Sequence, residues 1–329
     1  MSEFRPVWWL PGPHVQTLWG TMTRSRRQVP FRRESVEMPD GDELLLDHVD
    51  GPPDSPRLLV LHGLEGSSYS VYVQGLLAGA RARGWRGVAV NFRSCARRPD
   101  DVAAWIPNRR PRLYHSGETS DLDFVARRLS GEDRGSPLLA AGVSLGGNVL
   151  LKWLGENPGQ NLVAAAAAIS VPYDLGAGAT HMDAAFGRFY VRVFLRTLRV
   201  KAASLAARFP EAAARIDLPR ALETSSFRGF DDAATGPLHG FTGAEDYYAR
   251  SSSLGFVGRV TTPTLCLSSK DDPFLPPRVL EDVRARASSS IDFRTTARGG
   301  HIGFVSGSGR FWAEETALDW MERKLRAGS

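Results

Sequence analysis

The sequence predicts an α/β architecture in one domain over residues 1–329: a mostly parallel central sheet flanked by helices, with a helical cap inserted at about 175–258. Three observations predict it. Short apolar runs alternate with helix-length segments through residues 57–170, and strands lacking a polar face belong to a sheet covered on both sides. The alternation stops between 175 and about 258, where no convincing apolar strand occurs. It resumes afterwards with two further strand–helix pairs.

Taken in order, residues 1–30 are rich in Trp and Pro (Trp8, Trp9, Pro11, Pro13, Trp19) without a clear period, and read as an irregular N-terminal arm. From Arg33 to Asp50, two extended runs flank Pro39-Asp40-Gly41-Asp42, a hairpin signal. Arg57 to His62 is a buried strand, followed by the loop Gly63-Leu64-Glu65-Gly66 and a helix over Tyr69 to Arg83. Gly87 to Phe92 is a strand, and Ser116 to Leu129 a helix with Ser116 as N-cap and Glu118 in its first turn. Strand Pro137 to Val143, helix Leu145 to Asn157 and strand Leu162 to Ser170 follow. After the insertion come strand Pro263 to Ser269, helix Pro276 to Ala287, strand Ile291 to Thr296 and helix Phe311 to Leu325.

Within the insertion, Phe186, Phe189, Tyr190, Val193, Phe194 and Leu198 share one helical face, while Arg188, Arg192, Arg196 and Arg199 fall on the other. The ordinary use of such a face is packing of the cap on its own domain. Lining of an apolar substrate cleft is a second use, and contact with a membrane interface a third.

Composition removes several function classes. Hydrophobic residues make up 42% and charged residues 23%, which excludes a disordered or fibrous chain. No apolar run approaches the roughly 18 residues of a membrane-spanning helix. The start lacks the charged-then-apolar order of a secretory signal. Two cysteines, Cys95 and Cys266, are too few for a disulfide framework or a zinc cage and point to a reducing compartment, the cytoplasm. The net charge is +5, but the arginines are scattered and lack an aromatic-interleaved reading motif, so no nucleic-acid partner is expected. Phosphate loops, dinucleotide fingerprints and metal-binding spacings are missing, so no cofactor and no metal are expected.

The chemistry enters at Gly142-Val143-Ser144-Leu145-Gly146. Ser144 stands at the junction of an apolar strand and a helix. A turn sharp enough to expose a serine there crowds its neighbours, and glycines at 142 and 146 relieve that crowding. A serine hydroxyl needs a base, and the base needs a carboxylate to hold its tautomer. In this architecture the chain order is serine, acid, histidine. Of seven histidines, only His301 follows a C-terminal strand and a glycine-rich turn, Arg298-Gly299-Gly300-His301-Ile302-Gly303. The acid follows the preceding strand, where Asp271 and Asp272 are both candidates. Asp272 is preferred because Asp-x-x-x-Pro after this strand suits such an arrangement, which leaves Asp271 to cap the turn or pair with Lys270. For the oxyanion of a tetrahedral intermediate, the backbone N–H of Leu145 and that of Leu64, in the loop after strand Arg57–Leu61, are the expected donors. His62 is expected to shape that loop through hydrogen bonds.

These pieces resemble the α/β-hydrolase superfamily and, more closely, its YheT-like branch of hydrolases. The resemblance runs through Trp8-Trp9-Leu10, His14-Val15-Gln16-Thr17-Leu18-Trp19, His62–Gly66, Asn91-Phe92-Arg93-Ser94-Cys95, Tyr114-His115-Ser116-Gly117-Glu118, Gly142–Asn148, Pro237–Phe241, Asp246-Tyr247-Tyr248, Asp271–Phe274 and Gly299–Gly303. It implies an α/β-hydrolase fold and a cofactor-free serine hydrolase (a carboxylesterase) acting on short- to medium-chain acyl esters. The same triad would serve a thioesterase, a phospholipase or an acyltransferase, and a catalytically idle binding protein is the alternative of another class. One departure stands out: the family places glycine where this chain has Ser94, in a loop expected to border the pocket. Tyr114, His115, Glu118, His14 and Gln16 are expected to form hydrogen-bonded structure around the site rather than to react.

Overall fold

The computed structural model describes residues 3–26, 28–133, 135–184, 186–307 and 310–328. Residues 1, 2 and 27 of the predicted arm lie outside them. Eight strands form one sheet: β1 (Arg32–Glu37), β2 (Glu43–Val49), β3 (Arg57–Leu61), β4 (Arg86–Asn91), β5 (Leu138–Val143), β6 (Ala165–Ile169), β7 (Thr264–Ser269) and β8 (Ile291–Thr296). Their order is β1-β2-β4-β3-β5-β6-β7-β8. The hairpin β1–β2 pairs antiparallel with itself and with β4, and every pairing from β4 to β8 is parallel.

The apolar runs are strands because both faces are covered. Along β3, Leu58 and Val60 face one core with Val73 and Leu77 of the helix α2, whose bounds are Val71–Ala82 in chain order after α1 (Pro13–Thr23). Leu59 and Leu61 face the other core, with Leu122 and Val125 of α3 (Ser120–Glu132) and Val149 and Trp153 of α4 (Leu145–Glu156). The chain leaves β3 toward β4 on one side, while β5 pairs on the other. Loops diverging from the carboxyl ends of such neighbouring strands leave a crevice between them. Leu61 lies opposite Gly142 in the register, so the glycine loop after β3 and the serine after β5 flank that crevice.

Between β6 and β7 the insertion is helical, beginning with α5 (Leu175–Met182) and the long α6 (Gly187–Arg208). Three sequence expectations are corrected. The arm is not irregular throughout, because Pro13–Thr23 is α1, with Pro13 in its first turn. Its buried positions are Gln16 and Gly20, so it shows no apolar period. Ser116 does not cap a helix; α3 begins four residues later after Thr119. The backbone of Ser116 is taken up by tertiary contacts, its N–H donating to Tyr247 Oη (2.9 Å) and its carbonyl accepting from Asn148 Nδ2 (2.9 Å). Lastly, the buried face of α6 is Tyr190, Val191, Leu195, Ala202 and Leu205, while Phe186, Phe189 and Val193 are exposed. The predicted stripe therefore straddles the boundary between core and surface.

Candidate active site

Ser144 ends β5 and starts α4 with φ 53° and ψ −121°. That left-handed backbone is costly for a non-glycine residue and persists only when its surroundings over-determine it. The flanking glycines are what let it form. A methyl group on Gly142 would lie 2.5 Å from the Gly146 carbonyl oxygen, and one on Gly146 would lie 2.5 Å from that of Leu61. The turn is pinned by Ser144 N–H donating to the Ile169 carbonyl (2.8 Å) and Asn148 N–H to that of Ser144 (3.0 Å).

His301, beyond β8, brings its Nε2 within 2.9 Å of Ser144 Oγ. Its Nδ1 faces both oxygens of Asp272, at 2.8 and 3.1 Å. All three side chains are buried. With the proton on Nδ1, the ring donates to Asp272 and presents Nε2 as an acceptor to the serine hydroxyl. The ring of Phe274 stacks on the imidazole, with centroids 4.0 Å apart. Of the two aspartates, Asp272 meets the histidine and accepts from Phe274 N–H (2.8 Å). Asp271 turns to accept from Gly300 N–H (2.9 Å) and steadies the histidine loop.

The loop after β3 runs beside the serine: a methyl on Gly63 would sit 3.2 Å from Ser144 Cβ. Leu64 and Leu145 both line the cavity, and neither backbone N–H has a hydrogen-bond partner among the described residues. Gly63 N–H, in contrast, is spent on Tyr72 Oη (2.9 Å). His62 is buried and its pKa falls to about 3 because burial disfavours the charged ring. It accepts from Phe92 N–H on Nε2 (3.1 Å) and donates from Nδ1 to the Gly63 carbonyl (2.7 Å), a brace between the loop and the end of β4.

Glu65, at φ 55°, is clamped from three sides. Its N–H donates to Tyr114 Oη (2.7 Å), the Tyr114 hydroxyl donates back to its carboxylate (2.8 Å), and Lys201 of α6 reaches the same oxygen (2.8 Å). The Lys201–Glu65 pair is almost wholly buried and ties the cap to the loop that carries Leu64.

Other motif residues build the frame. Arg93 is a buried cation held by Asp42 and Asp121. Ser94 is left-handed at φ 59°, a conformation glycine tolerates and serine adopts at a cost. Its Oγ offsets part of that cost by bonding Asn108. The Asn91–Cys95 loop is not in the cavity wall, which corrects the expectation that Ser94 borders the pocket. The His115 and His239 rings lie 4.6 Å apart, tilted by 50°, and burial lowers the pKa of each; His239 spans the Thr235 and Leu113 carbonyls (2.8 Å each). Glu118 pairs with Arg112.

Sequence reasoning missed one support of the histidine turn, Thr17, and expected Gln16 as hydrogen-bonded structure around the site without its partner. Thr17 Oγ1 accepts from His301 N–H (2.9 Å), and Gln16 Oε1 accepts from Val305 N–H (2.8 Å). Both belong to α1, as does His14, whose Nδ1 meets Tyr190 Oη (3.2 Å). The only available signal was the His14–Trp19 motif itself, which says nothing of its contacts.

The site opens on a cavity of about 440 Å³, walled on the cap side by Tyr190, Val193, Phe194, Leu198 and Phe227. At its margin a π-helical turn, Asp231–Thr235, carries the half-buried Asp231, which accepts from Tyr248 Oη (2.7 Å). Burial raises the Asp231 pKa to about 6. No metal-binding cluster occurs among the described residues.

A mostly parallel sheet with a strand–serine–helix turn at its carboxyl edge and helices inserted before the last strands defines an α/β hydrolase. Residues 56–308 match the family described as "alpha/beta hydrolase fold", and the chain belongs to that family. Within it the chain falls in the YheT-like branch: it is 36% identical to "Putative esterase YheT" of Escherichia coli over 336 aligned positions, covering 100% of this chain and 95% of that protein. It is 29% identical to "Phospholipase ABHD3" of Mus musculus, over 93% of this chain and 74% of that one. Among solved structures, the Pyrococcus furiosus esterase Pf2001 superposes with a TM-score of 0.57 at 14% identity, over 89% of this chain and 92% of that one. An esterase from Exiguobacterium antarcticum gives 0.56 at 16% identity, over 88% and 100%. These structural likenesses show the shared fold.

Proposed function

We propose that this hydrolase is a serine esterase that cleaves short- to medium-chain carboxylic acyl esters through an acyl-enzyme on Ser144. One observation carries the reading: a single imidazole, His301, lies within hydrogen-bond reach of Ser144 on one nitrogen and Asp272 on the other. His301 takes the Ser144 proton as Oγ attacks the ester carbonyl. The oxyanion that forms is held by the N–H groups of Leu64 and Leu145, each such donor being worth about 10²–10³-fold in rate. As the intermediate collapses, His301 returns the proton to the leaving alcohol. It then deprotonates a water that attacks the acyl carbonyl, and Ser144 is regenerated. Asp272 keeps the imidazole in the tautomer that can accept, and stabilises it when protonated.

The apolar cap wall supports an acyl chain as the bound group. Likeness to phospholipases favours a second reading, in which the same triad cleaves an acyl chain from a phospholipid. The bond cleaved is a carboxylic ester of a small-molecule or lipid substrate in either case, and the place of work we propose is the cytoplasm, a reducing compartment that suits two free cysteines.

Ser144→Ala should abolish turnover of p-nitrophenyl butyrate and labelling by a fluorophosphonate while leaving the thermal melt nearly unchanged. Retained turnover in that variant ends the proposal, and a wild-type chain that neither labels nor turns over points to an idle binding protein. An acyl series from two to sixteen carbons, presented as esters, thioesters and phospholipids, separates the readings.

A further inference from the structure

Two helices border the cavity, and both carry an apolar strip on the solvent side of their cavity-lining edge. On α1, Leu18 and Thr21 line the cavity, while Val15 and Met22, one face further round, are 43% and 77% exposed. On α6, Tyr190, Val193, Phe194 and Leu198 line the cavity; Val193 is also 52% exposed at its rim, and Phe186, Phe189 and Val200, outside it, are 46–50% exposed. Trp8, just before α1, is 90% exposed. The helices touch at this edge, where the His14 and Phe186 rings are 4.2 Å apart. Scattered exposed apolar residues mean little, but here they lie on two touching helices that both line one apolar cavity, and such a placement marks an interaction surface.

Charge says what covers it. The chain from Phe4 to Arg33 contains no Asp or Glu, nor does the stretch from Ala184 to Pro210. Beside the apolar strip of α6 stand Arg188, Arg192 and Arg196, all exposed. Arg192 and Arg196 have no ion-pair partner among the described residues, and Arg188 has only the field of Asp183 near it. Elsewhere arginines are paired repeatedly, as in Arg33–Asp47, Arg57–Asp133 and Arg128–Glu34. An apolar strip alongside unpaired arginines is the pattern of a helix that lies in a lipid–water interface.

We infer that the α1–α6 rim docks on an anionic phospholipid bilayer, with Trp8, Met22, Phe186, Phe189 and Val193 entering the headgroup boundary and Arg192 and Arg196 meeting lipid phosphates. The cavity mouth then faces the membrane. This docking is peripheral; among the described residues no helix is long and apolar enough to cross a bilayer. The inference does not depend on which bond the site cleaves.

The test is flotation of the full chain with vesicles of phosphatidylcholine alone, or of phosphatidylcholine mixed with phosphatidylglycerol, at low and high salt. The chain should float with the mixed vesicles, stay largely behind with the zwitterionic ones, and detach as salt rises. R192E/R196E and W8S/F189S each alter only exposed positions, and each should lower the bound fraction about tenfold or more. Both variants should keep wild-type hydrolysis of a soluble ester, which separates a docking defect from a damaged site. Absence of flotation at low salt overturns the inference, as does flotation of both variants to the wild-type extent. A wild-type dimer in gel filtration that R192E/R196E turns into a monomer, without vesicle binding, overturns it in favour of contact between two copies.

Discussion

Two turns meet in the proposed active site, and they are held in different ways. The serine turn is built by its own neighbours. Gly142 and Gly146 fit against each other and against the end of β3, where the close approaches are to backbone atoms, and the Ser144 N–H is held by the Ile169 carbonyl. The histidine turn is held from far along the chain, by Thr17 on His301 N–H, Asp271 on Gly300 N–H, and Ser170 Oγ on Ile302 N–H (3.0 Å). A nucleophile in a strained backbone needs rigid local packing. A base needs aim, and aim can be supplied by hydrogen bonds from any element that passes close enough.

The comparison breaks most severely at Gly146. Alanine there would put a methyl group 2.5 Å from the Leu61 carbonyl oxygen and 2.6 Å from that of His62. Backbone atoms of a central strand cannot yield cheaply, so Gly146→Ala should lose about 3 kcal/mol or more of stability in urea titration, together with all activity. Ser144→Ala removes only an oxygen and should lose activity alone. If the two variants melt alike, the serine turn is not the rigid element described.

Next come the two aspartates. Asp272→Asn cannot accept the Nδ1 proton in the same way and favours the wrong tautomer, so kcat should fall by about 10⁴-fold at neutral pH. Asp271→Asn still offers an oxygen to Gly300 N–H and should cost no more than about tenfold. Equal losses in single-turnover assays would mean that Asp271 shares the role of the triad acid.

A smaller effect tests remote aiming directly. Thr17→Val keeps the shape of the side chain but leaves His301 N–H unpaired, at a cost of about 1–2 kcal/mol. Its kcat should fall more than its KM changes, while Thr17→Ser should recover most of the rate. A Thr17→Val enzyme with wild-type kcat would show that the triad carboxylate alone positions the ring.

This difference also sets what was legible in the sequence. The sheet was readable because its strands are buried on both faces and carry no polar alternation, as in Leu138–Val143 and Ala165–Ile169. Ser144 was readable because its constraint is local and leaves glycines beside it. His301 and Asp272 followed from chain order, since each stands just past a strand. The role of α1 was not readable: its inward residues are Gln16 and Gly20, so no apolar period announces a helix, and its partner lies 284 residues away in sequence. The same holds for Lys201, a cation that any surface helix would carry, whose burial against Glu65 follows only from how the cap settles. The side of α6 that faces solvent was likewise open, because its apolar residues cover more of the helix than the core can take.

The finest distinction is between two carboxylates beside the cavity, the buried Asp272 and the half-buried Asp231. Asp272 has an imidazole to share a proton with, whereas Asp231 has hydroxyl donors and no cation. Burial raises the Asp231 pKa from 3.8 to about 6, so the folded chain holds a proton that the unfolded chain has released. Stability from this group is therefore full below about pH 4 and is lost as pH rises through 6. Asp231→Asn keeps an acceptor for Tyr248 and removes the titration. The variant's loss of unfolding free energy between pH 4 and 7 should be smaller than the wild type's by roughly 2 kcal/mol. Parallel stability profiles for the two chains would mean that Asp231 is charged in the fold, with a cation near it that the described residues do not supply.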